Sequence, residues 1–95
     1  MDDMTSRIDL TRVLSLETLN LPEKPKIVEI RAEPFLDSAG DEGIRVLVIL
    51  DEKTTDRDRS WRRLKPIEDE VFRTLREAQD TRFPYTRFLK RSEVD

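Results

Sequence analysis

Three aspartates have the residue type and spacing for metal-assisted chemistry. Asp51 ends the apolar run 46–50, and Asp56 and Asp58 lie in the charged segment that follows. Carboxylates in such positions can hold the metal ions of phosphoryl or nucleotidyl transfer. The Gly-Ser signature that accompanies such an Asp-x-Asp pair is absent, and neighbouring arginines would compete for Asp56 and Asp58. Capping of the strand end and local ion pairs explain these aspartates more simply. A metal-dependent phosphoryl or nucleotidyl enzyme at Asp51 is therefore only the second alternative to the function predicted below.

A second acidic group, formed by Asp37, Asp41 and Glu42, lies beside two glycines. Oxygen ligands and glycines are what a calcium or magnesium site needs. The spacing does not fit the EF-hand loop, and Asp, Ser and Gly are also the residues that tolerate tight turns. We interpret residues 37–43 as a solvated hairpin turn, and we predict no metal and no cofactor.

The chain contains neither histidine nor cysteine. This composition excludes disulfides, zinc–thiolate sites, iron–sulfur clusters and Ser-His triads. We therefore predict no catalytic residue and a reducing, cytoplasmic location. A signal peptide begins with basic residues, whereas Asp2 and Asp3 are acidic. No apolar run is long enough to cross a membrane.

A basic segment carries the only tryptophan. Trp61 lies among Arg57, Arg59, Arg62 and Arg63. Arginine binds phosphates and indole stacks on bases, so a nucleic-acid-binding module is our first alternative. The net charge of −3 weakens it, because non-specific binding depends on summed positive charge. Tryptophan and arginine are also interface anchors, and Trp61 could instead cover the sheet.

The length of 95 residues is sufficient for one domain. Charged residues make up 41% of the chain, but the apolar residues are clustered, which favours a folded centre with polar ends. We predict a disordered N-terminus over residues 1–6, a single α+β domain over residues 7–90 and a polar tail over residues 91–95.

Two runs predict the arms of a β-hairpin. Residues 27–33 alternate apolar and charged side chains, which is typical of a strand with one buried face. Residues 44–50 are apolar on both faces after Arg45, which is typical of a central strand. The second strand should therefore lie in the middle of the sheet.

Three further elements complete the predicted fold. Residues 7–19 fit either a period-two pattern or a helical stripe, and their leucines favour the helix. A clear amphipathic helix is predicted from Pro66 to about residue 79. A third strand follows over 83–89, with Phe83, Phe88 and Leu89 expected to complete the core. A right-handed crossover would make this strand parallel to the second. The expected fold is a small two-layer α+β sandwich, helix-strand-strand-helix-strand, with a mixed three-stranded sheet.

The central strand has a second apolar face, carrying Leu47 and Ile49, that helices on one side of the sheet cannot cover. We therefore expect a non-catalytic protein–protein interaction module that forms a homodimer. Its size and dense charge also suit an accessory, antitoxin-like or immunity-like partner in a bacterial two-component system. The predicted partner-binding residues are Arg57, Arg59, Trp61, Arg62, Arg63, Leu47 and Ile49.

Overall fold

The computed structural model describes residues 9–94, so the disorder predicted for residues 1–6 lies outside the described residues. Its elements are α1 (Leu10–Val13), β1 (Ile27–Leu36), β2 (Glu42–Leu50), α2 (Trp61–Glu77) and β3 (Phe83–Lys90). Short 3₁₀ turns occupy Arg57–Arg59 and Arg91–Glu93. The order of helices and strands confirms the predicted α+β fold.

The sheet has the strand order β1-β2-β3, with β2 in the centre as predicted. β1 and β2 pair in antiparallel fashion through the turn at residues 37–41, and β3 is parallel to β2. Gly40 has a φ of 85°, a left-handed conformation that glycine adopts without steric cost, and its N–H donates to the Asp37 carbonyl. The acidic residues of this turn therefore close the hairpin.

The core lies between α2 and one face of the sheet, which we call the core face. β2 contributes the fully buried Ile44, Val46, Val48 and Leu50. α2 covers them with the apolar stripe Leu64, Ile67, Val71 and Leu75, and the N-terminal segment adds Leu14 and Leu19. Each such side chain contributes about 1.5–3 kcal/mol on burial, so these contacts dominate the stability of the sandwich.

The helix α2 begins at Trp61, five residues before the predicted start at Pro66. Leu64 is buried on the same stripe as Ile67 and Val71, so the apolar periodicity extends into this earlier turn. Packing of Leu64 thus overrides the tendency of proline to begin a helix, and Pro66 lies in the helix interior. At the other end, Gln79 takes a positive φ and the Asp80 N–H donates to the Leu75 carbonyl.

The N-terminal helix is much shorter than the predicted 7–19, whose first two residues lie outside the described residues. Asp9 caps α1 by accepting the Thr11 N–H, and the helix ends after Val13. Beyond it, the Ser15 hydroxyl accepts the Thr18 N–H and the Thr18 hydroxyl donates to the Arg12 carbonyl. These side-chain bonds to the backbone compete with helix formation and turn the chain toward β1.

Candidate interaction surfaces

The face of the sheet turned away from α2 is called the second face. Strand pairing places four side-chain positions of each strand on it: Glu29, Arg31, Glu33 and Phe35 of β1; Gly43, Arg45, Leu47 and Ile49 of β2; Phe83, Tyr85, Arg87 and Leu89 of β3. The helices pack on the core face, so the middle of the second face is open. Leu47 is half-buried there and borders two shallow cavities of about 280 and 330 Å³.

Ile49 is fully buried although it points from the second face. It lies between Glu29 of β1 and Leu89 of β3, and Arg91 reaches back across this position to Glu29 with an Nη1–Oε1 distance of 3.1 Å. The chain therefore covers Ile49 itself. A partner on the second face would contact Leu47 and the open part of the face beyond it.

The turn Arg91–Glu93 is held in place by Glu29, Glu52 and Arg59, which come from three parts of the chain. The Glu52 carboxylate accepts the Ser92 N–H at 2.8 Å and the Ser92 hydroxyl at 2.6 Å. Arg59 Nη1 donates to Glu93 Oε2 at 3.0 Å. Donation from Ser92 lowers the pKa of Glu52, and donation from Arg59 lowers the pKa of Glu93. Both carboxylates are thus favoured in the charged form that holds the turn.

Three aromatic rings meet at the amino-terminal end of β3. The Tyr85 ring lies edge-on to Phe35 and Phe83, with centroid distances of 5.3 and 4.8 Å. Gly43 lies between them, because a Cβ there would be 3.0 Å from Tyr85 Cε2 and 3.1 Å from Phe35 Cε1. The Arg45 guanidinium stacks over Phe35 at 4.5 Å. We call Phe35, Phe83 and Tyr85 the aromatic cluster.

The aromatic cluster is open to solvent: Phe83 is 51% exposed and Tyr85 41% exposed. The prediction that Phe83 completes the core is therefore wrong, whereas Phe88 does pack against it. Leu89 shares the second face with Phe83, because residues of one strand that are an even number apart lie on one face. Alternate residues of a strand lie on opposite faces, so the spacing of Phe83, Tyr85 and Leu89 in the sequence could have shown that they share the second face.

The charges of the second face alternate along β1. Arg31 donates to Glu29 at 2.8 Å, which lowers the pKa of that carboxyl, and Arg45 donates to Glu33 at 3.2 Å. These side chains are well exposed, so each pair contributes little to stability and can exchange partners. Arg87 forms no ion pair with any residue in the range 9–94.

A second surface, the basic surface, surrounds the amino end of α2. Arg57, Ser60, Arg62 and Arg63 line a cavity of about 600 Å³. Within the described part of the chain, none of these arginines pairs with an acid, whereas Arg59 is occupied by Glu93. Trp61 is 55% exposed, so the interpretation in which it covers the sheet is wrong.

The structure separates the predicted partner-binding residues into two places. Arg59 donates to the Phe88 carbonyl, so the basic surface lies near the carboxyl ends of β2 and β3. The aromatic cluster lies at the opposite end of the strands, where Phe83 meets Phe72 of α2. Trp61 and its arginines thus belong to the helix layer, and Leu47 belongs to the second face.

Two of the acidic residues considered for chemistry, Asp51 and Asp37, accept hydrogen bonds from backbone N–H groups. Asp51 Oδ2 accepts the Lys53 N–H at 2.9 Å, and the Asp51 carbonyl accepts both the N–H and the hydroxyl of Thr54. Asp37 Oδ1 accepts the N–H groups of Ala39 and Asp41. Over residues 9–94, no three His, Cys, Asp or Glu side chains are grouped so that they could hold a metal ion.

The helices between residues 9 and 94 include none that is both long and apolar enough to cross a membrane. In comparisons with known proteins, the chain matches no protein family, no curated protein and no solved structure.

Proposed function

We propose that this chain is a non-catalytic protein–protein interaction module that binds through its second face. The observation that carries the proposal is the exposure of Phe83 and Tyr85 on the second face, although Phe83 also contacts Phe72 of α2. Phe83 and Tyr85 are each at least two-fifths exposed, although they are large side chains that gain free energy on burial. A bound protein would remove them from water.

The composition of this face matches the anchors of protein interfaces. Tyrosine, phenylalanine and arginine are enriched at interface centres, and the second face combines Tyr85 and Phe83 with Arg45 and Arg87. The aromatic rings support one another edge to edge, so little side-chain entropy remains to be lost on binding. Leu47 adds an apolar contact beside them.

Support for a binding role without catalysis comes from the acidic residues. The Asp51 carboxylate accepts the Lys53 N–H and so has a structural role in the turn after β2. The absence of cysteine is consistent with a reducing cytoplasm. An accessory role beside a larger partner, of the antitoxin or immunity kind, fits these features.

Affinity capture from the native host with matched variants tests the proposal. Tyr85→Ala removes the central ring of the aromatic cluster, and Trp61→Ala removes an even more exposed ring from the basic surface. We expect Tyr85→Ala to lose specific proteins that the wild type and Trp61→Ala retain, with circular dichroism confirming that both variants fold. Identical captured sets for all three proteins would contradict the proposal.

The basic surface supports a second candidate function, the binding of single-stranded nucleic acid. Arg57, Arg62 and Arg63 surround one cavity without an acidic partner among residues 9–94, and Trp61 offers a solvent-facing ring beside them. Guanidinium groups bind phosphates and an indole stacks on unpaired bases. The net charge of −3 opposes this function, so it ranks second.

Titration with a single-stranded RNA or DNA oligonucleotide at low salt separates the two candidates. Trp61 is the only tryptophan, so its fluorescence reports binding at the basic surface alone. Stacking would quench the emission, and Arg62→Glu combined with Arg63→Glu would abolish the quenching. Unchanged emission would dismiss the nucleic-acid candidate.

A further inference from the structure

We propose that the partner on the second face is a second copy of this chain, related to the first by a two-fold axis. The axis lies between the two sheets, parallel to their planes, and crosses β2 at right angles between Arg45 and Leu47. This inference rests on the proposed function and names the partner. The two sheets would pack face to face with their β2 strands antiparallel, and the interface would be isologous.

The register of the sheet determines which positions this axis brings together. Glu33, Arg45 and Tyr85 lie at one level of the sheet, and Arg31, Leu47 and Arg87 lie at the next level on the same face. A two-fold axis between the levels exchanges them while keeping each strand opposite its own copy. Each residue of one level therefore faces the residue of the other level on the same strand of the second copy.

On β1, this exchange places Glu33 opposite Arg31 of the second copy, twice in the dimer. Both side chains are exposed by half or more, so they can turn toward the second copy. Partial exclusion of water between the sheets strengthens an ion pair over its value on an exposed surface. Because acidic and basic residues alternate along β1, the β1 strands of the two copies present opposite charges to each other.

On β3, the same exchange places Arg87 opposite Tyr85 of the second copy. A guanidinium over an aromatic face is attractive, and Arg87 has no acidic partner in the described residues to hold it elsewhere. On β2, Leu47 faces the apolar stem of Arg45, which buries the leucine while the guanidinium stays at the rim. All three strands therefore gain a favourable pairing.

Two other two-fold arrangements bring like charges together. An axis at the level of Leu47 places Arg31 over Arg31 of the second copy and Arg87 over Arg87. An axis running along β2 places β1 over β3, so that Arg31 faces Arg87, which lies at the same level. Like charges facing each other weaken an interface, so charge disfavours both of these arrangements relative to the proposed axis.

Sedimentation equilibrium with the full chain, up to high micromolar concentration, tests the proposal. We expect the wild type to dimerise and Leu47→Asp to be monomeric. Arg31→Glu and Glu33→Arg each place like charges across the proposed axis, so each should weaken the dimer by about tenfold or more. The double variant Arg31→Glu with Glu33→Arg restores opposite charges and should recover the wild-type affinity. Arg62→Glu, on the basic surface, is the control.

The outcomes separate this inference from the proposed function. A monomeric wild type overturns the second copy as partner, while loss of captured proteins by Tyr85→Ala would still support binding through the second face. A dimer that Leu47→Asp leaves intact also overturns the inference. A dimer that depends on Leu47 but shows no recovery in the double variant overturns the proposed axis.

Discussion

Gly43 shows how a single residue shapes the second face. Its missing side chain creates the space in which Tyr85 and Phe35 meet edge to edge, next to the backbone of Phe83. The sequence alone marks this glycine only as the end of a turn. Because the contacts come from strands separated by some forty residues of sequence, they could not be predicted without the register of the sheet.

Replacement of Gly43 by alanine should therefore destabilise the protein and disturb the aromatic cluster. The new Cβ would be 3.0 Å from Tyr85 Cε2 and 3.3 Å from the Phe83 carbonyl oxygen, so the rings or the strands must shift. We expect a loss of about 1–3 kcal/mol in the free energy of unfolding, measured by urea denaturation. Ser38→Ala, in the exposed turn, should change little, and equal stability of Gly43→Ala and wild type would contradict the placement of the rings.

Glu70 links two parts of the chain that are fifty residues apart. Its carboxylate is buried and accepts Nε and Nη2 of Arg73 as well as the backbone N–H of Asn20 at 2.8 Å. Donation from Arg73, and next from Asn20, lowers the pKa of Glu70 despite its burial. The charged carboxylate thus fastens the N-terminal segment to α2.

Glu70→Gln should lower the free energy of unfolding at neutral pH by about 1 kcal/mol, because the charge that strengthens these hydrogen bonds is lost. A lowered pKa in the folded state gives stability that is present above the ordinary value of 4.5 and lost as the pH falls through the folded pKa. The difference from wild type should therefore shrink below pH 4.5.

Glu77→Gln is the matched control for Glu70→Gln, because Glu77 binds the same Arg73 but is well exposed. Denaturation midpoints of the three proteins between neutral and acidic pH provide the measurement. A constant difference between wild type and Glu70→Gln at all pH values would refute the role of the charge.

Among the elements, β2 was the most predictable and α1 the least. Apolar residues on both faces of 44–50 are typical of a central strand, and the structure places β2 in the centre, although Leu47 on its second face is only half-buried. The helix predicted over 7–19 rested on leucine spacing, but Leu14 and Leu19 are buried from turns instead. The burial of a leucine does not determine whether the backbone around it forms a helix or a turn.

The helix α2 contains a local conflict at Pro66. Proline has no N–H to donate to the Arg62 carbonyl, and its ring crowds that carbonyl, yet packing of Leu64 and Ile67 keeps the helix continuous. The first turn, with Arg62 and Arg63, is thereby less firmly tied to the remainder of α2.

Pro66→Ala should stabilise the protein by up to about 3 kcal/mol, because it restores one helical hydrogen bond and removes the clash at an exposed position. Chemical denaturation measures the effect, and Lys65→Ala next to it serves as the control for a surface change. A destabilised Pro66→Ala would show that the proline ring makes contacts that the helix requires.

At the scale of the whole molecule, charge is segregated although the net charge is small. Residues 53–65 carry six lysines and arginines against two aspartates, in a chain with a net charge of −3. The structure gathers three of these arginines around one cavity. Composition alone indicated the basic segment, but not its separation from the second face, which depends on the direction in which α2 crosses the sheet.

The stability of the molecule should be nearly independent of pH from about pH 6 to 8, because the chain has no histidine to titrate there. Hydrogen bonds from arginine or Ser92 lower the pKa of Glu29, Glu52, Glu70 and Glu93. Their stabilising effect is present above the ordinary value of 4.5 and is lost as the pH falls through the lowered values. Thermal unfolding midpoints should thus stay level near neutrality and fall in acid, and a step near pH 6.5 would contradict this.

The parallel pairing of β2 with β3 has a consequence for the order in which the chain folds. The β1–β2 hairpin closes through a five-residue turn, whereas β3 reaches β2 only after α2 has crossed the sheet. Closing the longer loop costs more chain entropy, so we expect the hairpin to form early and β3 to dock late. Until β3 docks, the most apolar strand has an unpaired edge, and during synthesis the hairpin leaves the ribosome with that edge open to aggregation.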